Sequence, residues 1–142
     1  MSRANTHYAL LDHTADLGIR VWGDDIKTLF ENAGKSLMHL MLQGETSQSP
    51  KPKPISLSAD DLADLMVRWL GEIHYLLEGE KLVVTSFDIL DIRPNNLEAI
   101  LQTVPFDPEL HEILYEIKAV TYHQIEVVEK GNRWETQVIL DL

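Results

Sequence analysis

The spacing of apolar residues changes once along this chain, and that change limits the folds that the chain can adopt. In two early segments the apolar residues recur every three or four positions, which is the spacing of one face of an α-helix. From Leu82 onward they recur at every second position, which is typical of strands. Helices followed by a run of strands predict an α+β domain, with two helices packed on a mostly antiparallel sheet.

The two helical segments have recognisable ends. The first helix is predicted over 25–42, where the preceding Asp24 and Asp25 offer an N-terminal cap. The second opens at Ser58-Ala-Asp-Asp61, which resembles a capping box, and it ends near Gly79, where glycine can take the left-handed conformation. Residues 43–54 between the helices contain Gly, Ser, Thr and three prolines, so an exposed loop is predicted there.

The predicted strands are short and are separated by turn residues. Arg93-Pro-Asn-Asn96 and Lys130-Gly-Asn-Arg133 both read as turns, and the second is typical of a hairpin. A chain of 142 residues is most simply one domain, here in two layers. The predicted strands cover residues 18–22, 55–57, 82–92, 97–104, 113–120, 124–129 and 134–140.

Composition excludes several classes of function. The 23 Asp and Glu residues outnumber the 12 Lys and Arg residues, and a surface with a net charge of −11 repels a polyphosphate, so no direct nucleic-acid binding is expected. The absence of Cys excludes disulfides, Cys-ligated zinc and thiol catalysis. Neither a membrane span nor a secretory signal is visible. The acidic excess favours a hard cation or a basic protein surface as the partner.

The densest group of polar residues lies at 11–18, directly before the first predicted strand. It places Asp12, His13, Thr14 and Asp16 within five residues. Carboxylate oxygens suit Ca²⁺, Mg²⁺ or Mn²⁺, and His with carboxylates suits zinc, iron or manganese. The same residue types are frequent in turns, where short side chains bond to the backbone. These residues alone leave a metal site and an ordinary turn both open.

A second polar group is Lys118-Ala-Val-Thr-Tyr-His123, whose apolar positions belong to a predicted strand. Thr121, Tyr122 and His123 supply polar side chains, but their spacing implies no pairing of a nucleophile with a base. The ordinary interpretation is an edge strand whose His and Tyr pack on the sheet. The chain also contains no Gly-rich phosphate loop and no Gly-x-Ser-x-Gly motif, so we assign no catalytic residue.

The last two residues, Asp141 and Leu142, follow directly after a predicted strand. The side-chain carboxylate of Asp141 therefore lies next to the main-chain carboxylate of Leu142. If this strand lay beside the strand that follows Asp16, three anionic groups would converge. They would repel one another unless a cation lay between them.

Three of these stretches together resemble the archease family. They are Asp-His-Thr-Ala-Asp-Leu-Gly-Ile at 12–19, Lys-Ala-Val-Thr-Tyr-His at 118–123, and the final Asp-Leu. The length and the order of elements agree along the whole chain, although residues 43–106 match in pattern only. The resemblance implies a small cytoplasmic accessory protein that activates the RNA-splicing ligase which joins tRNA halves. It would promote guanylylation and multiple turnover of that ligase without being an enzyme itself.

The resemblance also implies a bound cation, usually Ca²⁺, with Mg²⁺ or Mn²⁺ as alternatives. Its ligands would be Asp16, Asp141 and the main-chain oxygens of Leu142. Further residues of the same motifs are expected to support this site or to contact the partner: Asp12, His13, Thr14, Lys118, Tyr122 and His123.

Two other functions remain open at this point. One is a metal-dependent hydrolase or nucleotide-processing enzyme, which would require turnover by the purified protein alone. Its chemistry would rest on Asp12, His13, Asp16 and His123. The other is a general chaperone-like binder, which ranks lower because both helices commit their apolar faces to a core.

Overall fold

The chain folds into two helices and ten strands within residues 7–11, 16–45 and 48–142, which are the residues that the computed structural model describes. The predicted α+β class is confirmed, and each helix lies inside its predicted segment. Neither described helix combines the length and the apolar character that crossing a membrane requires. In chain order the elements are β1 (Tyr8–Leu11), β2 (Asp16–Gly23), α1 (Ile26–Met41), β3 (Leu42–Gly44), β4 (Lys51–Ser58), α2 (Leu62–Glu78), β5 (Leu82–Arg93), β6 (Asn96–Pro105), β7 (His111–Ile113), β8 (Ala119–Val120), β9 (Glu126–Lys130) and β10 (Arg133–Asp141).

The strands pair antiparallel throughout the described residues, but they form three sheets instead of the single predicted sheet. The first sheet has the order β1-β2-β10-β8, and β9 also pairs with β10. The second has the order β4-β6-β5, and β3 pairs with β7 in a two-stranded ribbon. The prediction of one sheet is wrong because a two-residue period shows where strands lie and not which strands pair.

The predicted loop over 43–54 is also partly wrong. Lys51–Ser58 forms β4, an edge strand that pairs with β6. Pro52 and Pro54 are compatible with this strand because alternate residues of an edge strand direct their N–H groups to solvent. At such positions the missing N–H of proline costs no hydrogen bond of the sheet. Leu42–Gly44 forms β3 and takes up a further part of the predicted loop.

Two local predictions differ from the structure. The strand predicted over 113–120 is divided, because β7 ends at Ile113 and β8 begins at Ala119, with the buried Ile117 between them in the core. Gly79 is right-handed, with φ −92°, and its N–H donates to the carbonyl of Tyr75 at 2.7 Å. The left-handed residue comes later, at Lys81, with φ 57°.

Both helices bury their apolar faces in one cluster of side chains. Trp69 of α2 is fully buried, and its indole N–H donates to the carbonyl of Phe30 on α1 at 2.7 Å. Helix α1 contacts β2 and β5, and α2 contacts β5 and β8, so the helices cover parts of both larger sheets. On β2 the core-facing residues are Ile19 and Val21, which leaves Asp16 on the opposite face, called here the outer face.

Candidate functional site

Asp16 and Asp141 lie together at one end of the first sheet. Asp16 is the first residue of β2, Asp141 is the last residue of β10, and the antiparallel register places them directly opposite each other. Directly opposite residues point to the same face of a sheet, with Cβ atoms about 4.5–5.5 Å apart. Both carboxylates therefore share the outer face, and Leu142 follows Asp141 immediately. These three residues are called the carboxylate end.

No described side chain neutralises the two carboxylates of this end. The ion pairs among residues 7–11, 16–45 and 48–142 all involve other acids. Arg20, which lies on the same face of β2, donates instead to Oε1 of Gln137 at 3.1 Å. Because like charges directly opposite each other destabilise a sheet, the pair favours a cation between Asp16 and Asp141.

The side chains of this part of the chain do not complete a metal site by themselves. Within the described ranges, no three Asp, Glu or His residues are grouped so that they could hold a metal ion. A cation at the carboxylate end therefore needs main-chain oxygens, such as those of Leu142, in addition to Asp16 and Asp141. Hard cations accept such mixed sets of carboxylate, carbonyl and water oxygens.

The second polar motif of the sequence holds the end of β10 in place. The backbone N–H of Lys118 donates to the carbonyl of Asp141 at 2.8 Å. Thr121 donates twice to the carbonyl of Ile139, from its N–H at 3.1 Å and from Oγ1 at 2.8 Å. Since β2 pairs with the other side of β10, the strand is held on both sides up to Asp141. Lys118 thus contributes through its backbone, and its side chain is exposed.

The hydrogen bonds of Tyr122 and His123 do not involve the carboxylate end. The hydroxyl of Tyr122 donates to Oδ1 of Asp64, in the first turn of α2, at 2.6 Å. His123 is exposed, and its backbone N–H donates to Oγ1 of Thr121 at 3.2 Å. The structure therefore brings together Asp16, Asp141 and Leu142, while the side chain of Tyr122 binds a helix.

Three residues of the first polar cluster, Asp12, His13 and Thr14, lie outside the described residues. Their roles stay predictions from the sequence. In the sequence they follow β1 and are separated from Asp16, the first residue of β2, by Ala15.

Asp64 is a residue that the sequence reasoning missed. Besides the Tyr122 hydroxyl, its carboxylate accepts from the N–H of Asp60 at 2.9 Å and from Nε of Arg68 at 3.0 Å. These bonds favour the charged form and lower the pKa of Asp64 from 3.8 to about 2, with the Tyr122 bond as the largest cause. The same bond raises the pKa of Tyr122. In the sequence, only the position of Asp64 three residues after the cap Asp61 pointed to a role at the start of α2.

We expect Tyr122→Phe to raise the pKa of Asp64 back toward 3.8. A group whose pKa is lower in the folded state stabilises the fold above its unfolded pKa, and this contribution is lost as the pH falls from about 4 to about 2. The difference in unfolding free energy between the wild type and Tyr122→Phe should therefore be larger at about pH 6 than at about pH 2. A carboxyl ¹³C titration and urea unfolding measure both quantities. An unchanged pKa of Asp64 in the variant would contradict the assignment.

Comparison with known proteins places the whole fold in one family. The Archease protein family (MTH1598/TM1083) matches residues 8–142. Protein archease of Methanosarcina mazei is 32% identical over 139 residues, which is 95% of each chain. Protein archease of Pyrococcus furiosus is 32% identical over 141 residues, which is 96% of each chain.

Two solved structures share the fold. The solution structure of Methanobacterium thermoautotrophicum protein 1598 has a TM-score of 0.77 at 26% identity and covers 96% of this chain and 99% of its own. The crystal structure of an archease, possible chaperone, from Thermotoga maritima has a TM-score of 0.62 at 18% identity and covers 100% of this chain and 98% of its own. Since the family match spans the described structure almost from end to end, the chain belongs to the archease family.

Proposed function

We propose that this chain is an accessory protein that activates an RNA-splicing (tRNA) ligase in the cytoplasm. It promotes guanylylation and multiple turnover of the ligase and is not itself an enzyme. The observation that carries the proposal is the register of β2 and β10, which places Asp16 opposite Asp141. Membership of the archease family supports an accessory role, and the Thermotoga maritima relative is itself described as a possible chaperone.

The charge of the chain supports a protein partner more than an RNA partner. With a net charge of −11, the surface is repelled by a tRNA phosphate backbone and is attracted to a basic protein surface. Asp141 is exposed and Asp16 is half-buried, so the carboxylate end is accessible to such a surface. The carboxylate end is therefore the part of the molecule that we place nearest the ligase active site.

A divalent cation fits the carboxylate end on the chemistry of its donors. Asp16 and Asp141 offer hard oxygen ligands on one face, and the main chain of Leu142 offers a third. We propose Ca²⁺ as this cation, with Mg²⁺ or Mn²⁺ as alternatives, because oxygen ligands of this kind accept all three. When bound, the cation supplies positive charge and free coordination positions for phosphate oxygens. The hydrogen bonds from Lys118 and Thr121 to β10 hold Asp141 in register with Asp16.

The proposal is tested by measuring guanylylation of the purified ligase with GTP, in the presence and absence of the full chain. We expect faster formation of the guanylylated ligase and multiple turnover only when the chain is present. An unchanged rate in a mixture where the two proteins co-purify would contradict the proposal. Turnover of phosphoesters or nucleotides by the chain alone would instead favour the metal-dependent hydrolase.

A short tag appended after Leu142 should weaken cation binding. In an expressed chain that ends at Leu142, the tag converts the main-chain carboxylate into a neutral amide and moves the negative charge away from Asp141. We expect the calcium affinity to fall roughly tenfold, because a charged ligand becomes a neutral one. Calorimetry on chains tagged at either terminus measures this effect, and the N-terminal tag is the control. Equal affinities for both tagged chains would exclude Leu142 as a ligand.

A further inference from the structure

A pocket of about 360 Å³ lies between the C-terminal half of α1, the β3–β7 ribbon and β5, apart from the carboxylate end. Gly44 forms part of its wall at φ 142°, and a Cβ there would collide with the carbonyl oxygen of Leu110. This close approach of β3 to the segment before β7 packs the wall of the pocket tightly. Neither Asp16 nor Asp141 contributes to the pocket.

Among the described residues that line this pocket, the only permanently charged side chain is that of Lys35, which is opposite in sign to the chain as a whole. Lys35 and His39 lie one turn apart on α1, and His111 comes from β7. No Asp or Glu among the described residues lines the pocket, although acids outnumber bases 23 to 12 in the chain. Lys35 forms no ion pair within the described ranges. The pocket is therefore a place where an anion is attracted, in a chain that otherwise repels anions.

His111 supplies a buried donor that the protein itself leaves unused. Its side chain is buried, and its Nδ1 accepts from the N–H of Asp107 at 2.9 Å. Since Nδ1 is an acceptor, the ring proton resides on Nε2, which has no hydrogen-bond partner in the described part of the chain. A buried donor without a partner is costly, and an acceptor atom of a ligand would remove that cost.

The floor of the pocket is apolar. Its residues belong to the hydrophobic core, but each keeps a small exposed fraction of its surface. Leu37, a core residue of α1 outside the pocket, has no exposed surface. This pattern is expected where a pocket opens onto a core, and it suits the apolar body of a ligand. The floor residues, with their exposed fractions, are Met38 (6%), Leu42 (7%), Val83 (7%), Val84 (5%) and Phe87 (9%).

We propose that this pocket binds a small organic anion, with its carboxylate or phosphate group between Lys35 and Nε2 of His111 and its apolar part on the floor. Lys35 supplies the charge, and His111 supplies a donor of fixed position. This site is independent of the carboxylate end and of ligase activation, so either proposal can fail without the other.

The test is a titration of the full ¹⁵N-labelled chain, followed by NMR, with benzoate, phenyl phosphate and the neutral benzamide. We expect saturable binding of an anion, with shifts of the His111 ring nitrogens, and at least roughly tenfold weaker binding of benzamide. Tighter binding of benzoate would identify the preferred head group as a carboxylate, and tighter binding of phenyl phosphate would identify it as a phosphate. No saturable binding of either anion at millimolar concentration would overturn the proposal, as would equally tight binding of benzamide.

Matched variants locate the binding. Lys35→Gln should weaken anion binding about tenfold. Lys27→Gln removes the same charge from an exposed position of α1 outside the pocket and should have no effect. His111→Asn keeps an acceptor for the N–H of Asp107 but removes the Nε2 donor, and His111→Gln restores a donor. We expect loss of binding in the first and recovery in the second. Equal weakening by Lys35→Gln and Lys27→Gln would overturn the proposal even if the His111 variants did not fold.

Discussion

Replacing Asp141 with Asn should lower the calcium affinity of the chain by roughly 100-fold or more, since affinity at oxygen sites follows the number of charged ligands. Asp16→Asn should have an effect of the same size, because the register of β2 and β10 makes the two carboxylates equivalent partners across one pair of strands. Isothermal titration calorimetry with Ca²⁺ measures both variants. The side chains keep their shape, so a loss of affinity reports the loss of charge and not of structure.

The control for this experiment is Asp24→Asn. Asp24 is exposed and directly follows the other end of β2, so its replacement changes the net charge equally but far from the carboxylate end. We expect its calcium affinity to match that of the wild type. Without calcium, Asp141→Asn should also be more stable by about 0.2–1 kcal/mol, because a repulsive cross-strand pair is removed. Equal affinity losses in Asp24→Asn and Asp141→Asn would show unspecific attraction of cations to an acidic chain.

Replacing Trp69 with Ala should lower the free energy of unfolding by about 3–5 kcal/mol. Trp69 is fully buried, packs edge-on against Phe87 with ring centroids 6.2 Å apart, and donates to the carbonyl of Phe30. The substitution leaves a cavity where α1, α2 and β5 meet. Trp69→Phe keeps most of the ring but removes the indole N–H, so we expect a smaller loss of about 1–3 kcal/mol.

Trp22→Ala is the matched control for the core variant. Trp22 lies half-buried on the outer face, where the guanidinium of Arg133 is 5.3 Å from its ring centroid. Its loss should cost about 1–2 kcal/mol, from partial burial and one cation–π contact. Urea unfolding followed by circular dichroism compares the variants. Losses equal within error for Trp22→Ala and Trp69→Ala would contradict the placement of the core between the two helices.

The elements that were predicted well from the sequence are those stabilised by local patterns. The spacing of apolar residues located both helices, and Asp25 caps the first as predicted. The second is capped by Asp61 and not by Ser58 of the predicted capping box, which ends β4. Each cap accepts a bond from a backbone N–H three residues later. The hairpin at Gly131, with φ 63°, follows from glycine and asparagine in a two-residue turn. These signals lie within a few residues of one another.

The features that were missed depend on contacts between distant parts of the chain. Pro52 and Pro54 indicate a loop when read locally, and only pairing with β6 makes them part of an edge strand. Tyr122 was predicted to support the site, to contact the partner or to pack on the sheet. The bond from its hydroxyl to Asp64 was missed, because the two residues lie 58 positions apart in the sequence. The residues alone gave the opposition of Asp16 and Asp141 only as a condition, since no local signal specifies that β10 pairs with β2, and it was the resemblance to the archease family that predicted it.

The role of the carboxylate end in ligase activation is tested by the rate of ligase guanylylation at increasing Ca²⁺, measured with the wild-type chain, Asp141→Asn and Asp24→Asn. We expect calcium-dependent stimulation by the wild type and by Asp24→Asn, and none by Asp141→Asn, with circular dichroism showing that all three are folded. Full stimulation of the ligase by Asp141→Asn would contradict the claim that the carboxylate end performs the activation.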